Sequence, residues 1–314
     1  MTKGFKLTKG MRGSHEELIF ENHKGLRFSV IPTFGGRLNS LTLRTRKTNL
    51  DVLNGFDDPE EMVIDKLYKG AILFPFANRL DGGSYSFEGK SYQFPINEKE
   101  FNNALHGLMA RSEFHVDKIA CEKNKASVKL SYHYVDTDDY YPFPFTLHVS
   151  YKLNEKSRLK VKFEIKNDGV RNMPMTLGWH PYFKTTGWAK DVKLTLPILN
   201  QIEVDERLLP TDEVTELTRF RKSEAIGDSK LDTCYELVSS EWRTLLSSSV
   251  NDKIEIEMRA DDNFQYMQLY QPPTNDSIAI EPMTANINAL NSTQGLIILE
   301  PEGSFKSEII IQPS

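Results

Sequence analysis

The chain has little cysteine, no long apolar run and almost no helical periodicity, and each shortage closes off a class of protein. Two cysteines occur in 314 residues, Cys121 and Cys234. They are far apart and lack C-x-x-C spacing, so neither a disulfide framework nor a thiolate metal or redox site is expected; a reducing compartment, the cytoplasm, is. No segment approaches the roughly 18 consecutive apolar residues of a membrane-spanning helix, and the start, "MTKGFKLTKGMRGSHEELIF", holds no apolar block of signal-peptide length. No membrane partner is expected. The net charge of −5 is mild, and the basic residues read as scattered through strands instead of forming a patch, which argues against nucleic acid as a partner. H-E-x-x-H, G-x-G-x-x-G, the P-loop and G-x-S-x-G are all missing, so a zincin site, a dinucleotide fingerprint, a phosphate cradle and a serine-hydrolase elbow lack support. "DTDDYYPFPF" has close carboxylates without the glycine and glutamate of an EF-hand loop, and reads as an acidic turn. No metal is expected.

What is present in quantity is aromatic and alternating. The chain holds 18 Phe, 12 Tyr and 3 Trp. Period-2 alternation recurs in "GLRFSVIP", "ASVKLSYHYV", "FTLHVSYKL", "RLKVKFEIKN", "KIEIEMRA" and "FKSEIIIQ", the mark of half-buried strands. Turn signals such as "FEGKSYQF", "KNDGVRN" and "DDNFQYMQ" separate them. One short helix is expected at "DDPEEMVID", residues 57–65, with Pro59 in its first turn. The fold class is therefore all-β, a large antiparallel sandwich or barrel with few short helices. No linker, repeat or low-complexity tract marks a boundary, so residues 1–314 are expected to form a single domain. The polar stretch 209–237 is the longest interval without clear alternation and is expected to be an elaborated loop over one sheet face.

Four segments carry candidate chemistry. In "FPFANRL", Asn78 and Arg79 follow an apolar run; Arg79 is either one half of a structural ion pair or a set of fixed donors for vicinal hydroxyls. In "FNNALHGL", Asn102 and Asn103 precede His106, and Gly107 permits close approach of another group; a tight-loop histidine bonded to backbone is the competing reading. In "MPMTLGWHPYF", Pro181 removes a donor and pushes His180 toward extended geometry, so the strand must end or bulge there. Trp179, Tyr182 and Phe183 around it are either core or an aromatic wall for a sugar ring. In "DSIAIEPMTANINAL", a strand delivers Glu281 just before Pro282. It is either a solvated edge residue or a general base whose pKa is lifted by partial burial.

Taken in order, "FPFANRL", "NALHGL", "GWHPYF", "LDTCYEL" and "IAIEPMTANINAL" resemble the aldose 1-epimerase (galactose mutarotase) family. The likeness runs from "IPTFGGRLNSL" to "LEPEGSFKSEIII". The resemblance implies a galactose mutarotase-like supersandwich and interconversion of the α and β anomers of a free hexose, such as galactose or glucose, by acid–base ring opening without a cofactor. It implies Glu281 as base, His180 as acid and His106 as a second catalytic histidine. Arg79 and Asp232 follow as substrate contacts, with Asn78 and Trp179 beside them.

The chain departs from the commonest family pattern at "HGL", where many members have two glycines after the histidine, and at "GWHPYF", where an asparagine usually precedes the second histidine. Both departures bear on which sugar is taken. Alternatives of the same fold are a hexose-6-phosphate 1-epimerase, with Arg111 as a candidate phosphate contact, and a carbohydrate-binding protein without catalysis. A monomer or homodimer is expected.

Overall fold

A computed structural model describes residues 4–45, 48–135, 137–185, 192–216, 219–238, 242–248 and 254–314. The alternating segments become antiparallel strands. Phe145–Asn154 buries Phe145, Leu147, Val149, Tyr151 and Leu153 on one face, and its neighbours Lys125–Tyr134 and Leu159–Asn167 pair with it in continuous register. Among the described residues the largest sheet has nine strands, running from His115–Cys121 through these three and Ser304–Pro313 to Glu224–Ala225. A second sheet has eight strands and holds Asp232–Leu237, Tyr266–Tyr270 and Ser277–Met283 side by side. The first five strands, Phe5–Arg12 to Asn49–Asp51, form a third sheet in chain order.

One buried cluster joins all three, taking Phe20 and Phe28 from the five-stranded sheet, Val149 and Phe163 from the nine-stranded and Leu269 and Ile280 from the eight-stranded. Each such side chain contributes about 1.5–3 kcal/mol on burial. The molecule is an antiparallel β-sandwich with two short α-helices among the described residues, Pro59–Ile64 and Ala289–Ser292. No described helix is long and apolar enough to cross a membrane.

The helix Pro59–Ile64 forms where the sequence placed it. The Asp58 side chain accepts the Glu60 N–H at 2.8 Å, Pro59 opens the first turn, and Asp65 ends the helix in the left-handed region at φ 45°. Three other expectations need correction. Residues 209–237 are not one long loop: Pro210–Glu216 and Asp232–Leu237 are strands of the eight-stranded sheet. Pro210–Glu216 lies at the sheet's edge, with Pro210 half-buried and Thr211, Glu213, Val214, Thr215 and Glu216 exposed, so it has no buried face to write an alternation. The polar run before Gln268 is a turn only near residues 261–263; Tyr266–Tyr270 is already strand. The basic residues do not stay scattered either. Alternation along adjacent strands projects Lys118, Lys129, Lys152, Lys160 and Lys162 onto one solvent face.

A buried ion pair ties the helix to the five-stranded sheet. Arg37, in the strand Arg37–Arg44, donates to Asp65 Oδ1 at 2.8 Å, to the Lys69 carbonyl at 3.0 Å and to the Ala110 carbonyl at 2.6 Å. Both side chains are essentially fully buried. One guanidinium thus fixes the C-terminus of the helix and the segment just after His106. Replacing Arg37 with Met leaves the buried Asp65 carboxyl with only the largely exposed Arg111, 3.9 Å away, as a cation, and equilibrium unfolding should show a loss of about 3–5 kcal/mol. A loss below about 1 kcal/mol would mean that the pair does not carry this junction.

Candidate active site

The strand Ser277–Met283 lies inside the eight-stranded sheet with all seven residues buried. Glu281 is therefore an interior residue, 2 % exposed, and the strand continues through Pro282 to Met283. On one side it pairs with Tyr266–Tyr270, which sets Gln268 opposite Glu281. On the other side it pairs with two short pieces, Gly178–Trp179 and Tyr182–Lys184. His180 and Pro181 form the break between them. Pro181 has no N–H to give, and its carbonyl accepts from Ile280 at 3.2 Å. The His180 backbone pairs away from Glu281, donating to Ala71 O at 3.0 Å and accepting from Gly70 N at 2.9 Å. This break lets the imidazole reach across: His180 Nε2 lies 3.2 Å from Glu281 Oε1.

A second wall comes from two tight turns held against each other. Asn78 and His106 both have left-handed backbones, at φ 61° and φ 64°. Each such residue costs roughly 1–3 kcal/mol, which surrounding contacts must offset. His106 N donates to Asn78 O at 3.0 Å, and Asn78 N donates to His106 Nδ1 at 3.2 Å. Gly107 is required here by space as well as by its φ of 67°, since a Cβ would come within 2.3 Å of the Phe74 carbonyl oxygen. A backbone N–H can only donate, so His106 Nδ1 accepts and the hydrogen of the neutral ring sits on Nε2. His106 is fixed as a hydrogen-bond donor.

These walls enclose a cavity of about 290 Å³ that takes in Asn78, Arg79, His106, His180, Asp232 and Glu281. Six of the seven residues to which the resemblance gives a role thus converge. Trp179 does not line this cavity: it is fully buried and its indole N–H points to Gly70 O at 3.3 Å, so it belongs to the core. Tyr182 does line it, with its ring stacked on His180 at 5.0 Å, as do Tyr68, Phe101 and Tyr270. Phe183 is core. Arg111 lies outside the cavity lining, bonded to the Ile64 carbonyl at 2.9 Å.

Burial drives the proton balance of the pair. It raises the Glu281 carboxyl well above its usual range; Asp232 adds to this and Arg79 opposes it. It lowers His180 to about 3, with the Arg37 charge acting in the same direction. His106 is likewise lowered well below the usual imidazole value, by burial first and then by His180, Arg79 and Arg37. Asp232 is raised by burial, against Arg79 and the hydrogen bond from Gln268. Both histidines are therefore neutral at neutral pH, and the raised Glu281 carboxyl holds a proton more readily than an ordinary glutamate does. Glu281 Oε2 and His180 Nδ1 are buried with no hydrogen-bond partner among the described residues, polar atoms left unsatisfied within the pair.

Ligand-capable atoms of His106, His180 and Glu281 lie within 4.8 Å of one another, as close as a metal site would need. The Nε2 hydrogen on His106 and the raised carboxyl both oppose ligation, which needs free lone pairs. The trio suits proton and hydrogen-bond exchange.

Among the polar residues of the site that the sequence did not mark, Gln268 and Glu98 hold others in place. Gln268 links both walls: Asn78 Nδ2 donates to its Oε1 at 3.2 Å, and its Nε2 donates to Asp232 Oδ1 at 2.7 Å. A lone amide among the apolar residues of "YMQLY" was the available signal. Glu98 grips Arg79, accepting from Nε at 2.9 Å and from Nη2 at 2.9 Å, and is steadied by Asn103 Nδ2 at 3.3 Å. Nothing in "PINEKEF" distinguished it from the other acids.

Comparison with known proteins decides the family. The aldose 1-epimerase family model matches residues 17–312. The chain belongs to the aldose 1-epimerase family. It is 29 % identical over 246 residues to the protein YihR of Escherichia coli K12, covering 77 % of each chain. It is 29 % identical over 196 residues to human galactose mutarotase, covering 60 % of this chain and 54 % of that one, about half the relative's length. Among solved structures, a galactose mutarotase-like protein from Clostridium acetobutylicum superposes with a TM-score of 0.88 at 22 % identity over 99 % of both chains. Galactose 1-epimerase from Lactobacillus acidophilus superposes with a TM-score of 0.82 at 21 % identity, over 99 % of this chain and 98 % of that one. At such identities the structures establish the shared fold. The family's class of enzyme is isomerase.

For this family member the Glu98 grip on Arg79 generates a prediction. Glu98→Gln removes the charge-assisted fork while keeping the shape, so the KM for its aldose should rise about tenfold with kcat changed less than about threefold. An unchanged KM with a large loss of kcat would contradict a positioning role.

Proposed function

We propose that the protein is a cofactor-independent aldose 1-epimerase acting, as one domain over residues 1–314, on a free hexose such as galactose or glucose. The observation that carries this reading is the buried pair Glu281 and His180, in contact at 3.2 Å beside a cavity sized for a single sugar ring. A site that only bound sugar would have no use for a carboxyl and an imidazole desolvated against each other. It would meet the cost of burying them for nothing.

The reaction follows from one shared proton. Moving it from Glu281 to His180 gives a carboxylate base and an imidazolium acid with no change in net charge. Glu281 then takes the proton of the C1 hydroxyl while His180 gives its proton to the ring oxygen; the C1–ring oxygen bond breaks and C1 becomes an aldehyde. Ring opening returns the pair to its resting arrangement, with a neutral carboxyl and a neutral imidazole. After rotation about C1–C2, the freed hydroxyl attacks the other face of the aldehyde. It returns its proton to His180 while Glu281 protonates the carbonyl oxygen. Atoms and charges balance, and no external acid or base is consumed. The His106 Nε2–H, Arg79 and Asp232 hold the ring oxygen and hydroxyls during the swing.

A hexose 6-phosphate is the second reading, because Lys66 lines the cavity while Arg79 is engaged by Glu98. Polarimetry on freshly dissolved α-galactose and α-glucose, with anomer-exchange NMR on glucose 6-phosphate, separates the readings. The wild type should speed free-sugar exchange, and Glu281→Gln and His180→Asn should each lower kcat by about 100- to 10,000-fold while still binding sugar. No acceleration with any aldose ends the catalytic reading; acceleration of the 6-phosphate alone replaces the substrate. A fully active Glu281→Gln removes the mechanism.

A further inference from the structure

The nine-stranded sheet carries on its outer face a groove of about 390 Å³ that shares no residue with the sugar cavity. Six of its lining residues are cations: Lys118, Lys129, Lys152, Arg158, Lys160 and Lys162. The others are two serines, an asparagine and Val128, with neither a carboxylate nor an aromatic among them. Strand register creates this concentration. Lys118 stands opposite Lys129, and Lys152 opposite Lys160. Like charges directly opposed in a sheet destabilise it. Glu308 serves Lys160 at 2.7 Å and Lys162 at 3.7 Å. Lys118, Lys129, Lys152 and Arg158 make no ion pair among the described residues.

Lysines on an edge strand commonly guard against unwanted pairing. That explains Lys118, on the edge strand His115–Cys121, but Lys129, Lys152, Lys160 and Lys162 sit on interior strands where no edge needs guarding. Their concentration in a chain of net charge −5 makes a focused positive field on an otherwise acidic molecule.

We propose that this face docks an extended, acidic polypeptide segment of a partner protein. Same-side carboxylates on an extended chain recur about every 6.8 Å, the spacing of Lys160 and Lys162 along their strand. Ser127, Ser150 and Asn154 supply further donors between the cations. Single-stranded nucleic acid fits less well, because the lining holds no ring for a base to stack on.

The test uses the full chain, fluorescein-labelled oligo-glutamate, and oligo-deoxythymidine of equal charge, read by anisotropy. Oligo-glutamate should bind saturably at about 50 mM salt, weaken at least about tenfold by about 300 mM, and bind more tightly than the oligonucleotide. Lys118→Glu with Lys129→Glu should weaken it about tenfold or more, with Lys→Gln at the same sites intermediate, sugar turnover unchanged in both, and the melting temperature of the Gln pair not lowered. Absence of saturable binding, indifference to the double variant, or an equal or tighter grip on the oligonucleotide would each overturn the proposal.

Discussion

The contact between Glu281 and His180 constrains most of what surrounds it. A carboxyl in the middle of a fully buried strand keeps a charge only at a high desolvation cost, so its hold on a proton is strengthened. The same dryness strips the proton from the imidazole beside it. One proton and two sites is the lowest-charge arrangement that an acid–base pair can have in an interior, and it also leaves either member able to hold the proton. The interrupted strand at His180–Pro181 frees residue 180 from the ladder, so that its imidazole reaches Glu281 on the neighbouring strand. The two left-handed turns at Asn78 and His106 close the other side, and Gln268 braces both.

Membership of the aldose 1-epimerase family and the sandwich fold account for the scaffold; the lining accounts for what this chain does with it. Arg79 is held by Glu98 in a fixed plane before any sugar arrives, which lowers the ordering cost of binding. Lys66 at the cavity leaves a cation available for a substituent beyond the bare ring. The electropositive groove belongs to the other large sheet. A partner held there would leave the sugar cavity uncovered by any shared residue.

Much of this was legible in the sequence, for physical reasons that differ by residue. Alternation in "FTLHVSYKL" survives into the fold because a strand with one dry face must write period 2. The short helix was legible from Asp58 and Pro59 because caps are local chemistry. His180 could be singled out because Pro181 next to it forbids a continuous ladder. Arg79 and His106 could be marked from their own motifs, while the resemblance to a known family supplied Asp232 and the convergence of all three, which no spacing rule gives.

What stayed hidden depends on tertiary register. Trp179 and Tyr182 look alike as neighbours of His180, and only the strand break decides that one faces the core and the other the cavity. Glu98 is one acid among several until Arg79 is folded against it. The lysine face is invisible along the chain, because its members are 118, 129, 152, 160 and 162 and meet only through cross-strand pairing. Pro210–Glu216 reads as loop because an exposed edge strand buries no side to reveal itself.

The central claim is that catalysis needs one proton on the pair, with His180 resisting a second. The most direct measurement is the pH profile of kcat/KM for anomer exchange. Because burial holds His180 down to about 3, lowering the pH through the ordinary imidazole value of 6.5 should leave the rate level, and an acid limb should appear only toward the lower value. Because the Glu281 carboxyl is raised, the alkaline limb should lie above its usual 4.5, where the pair gives up its only proton. A rate that instead falls as the pH drops through 6.5, with no such loss on the alkaline side, would contradict the account.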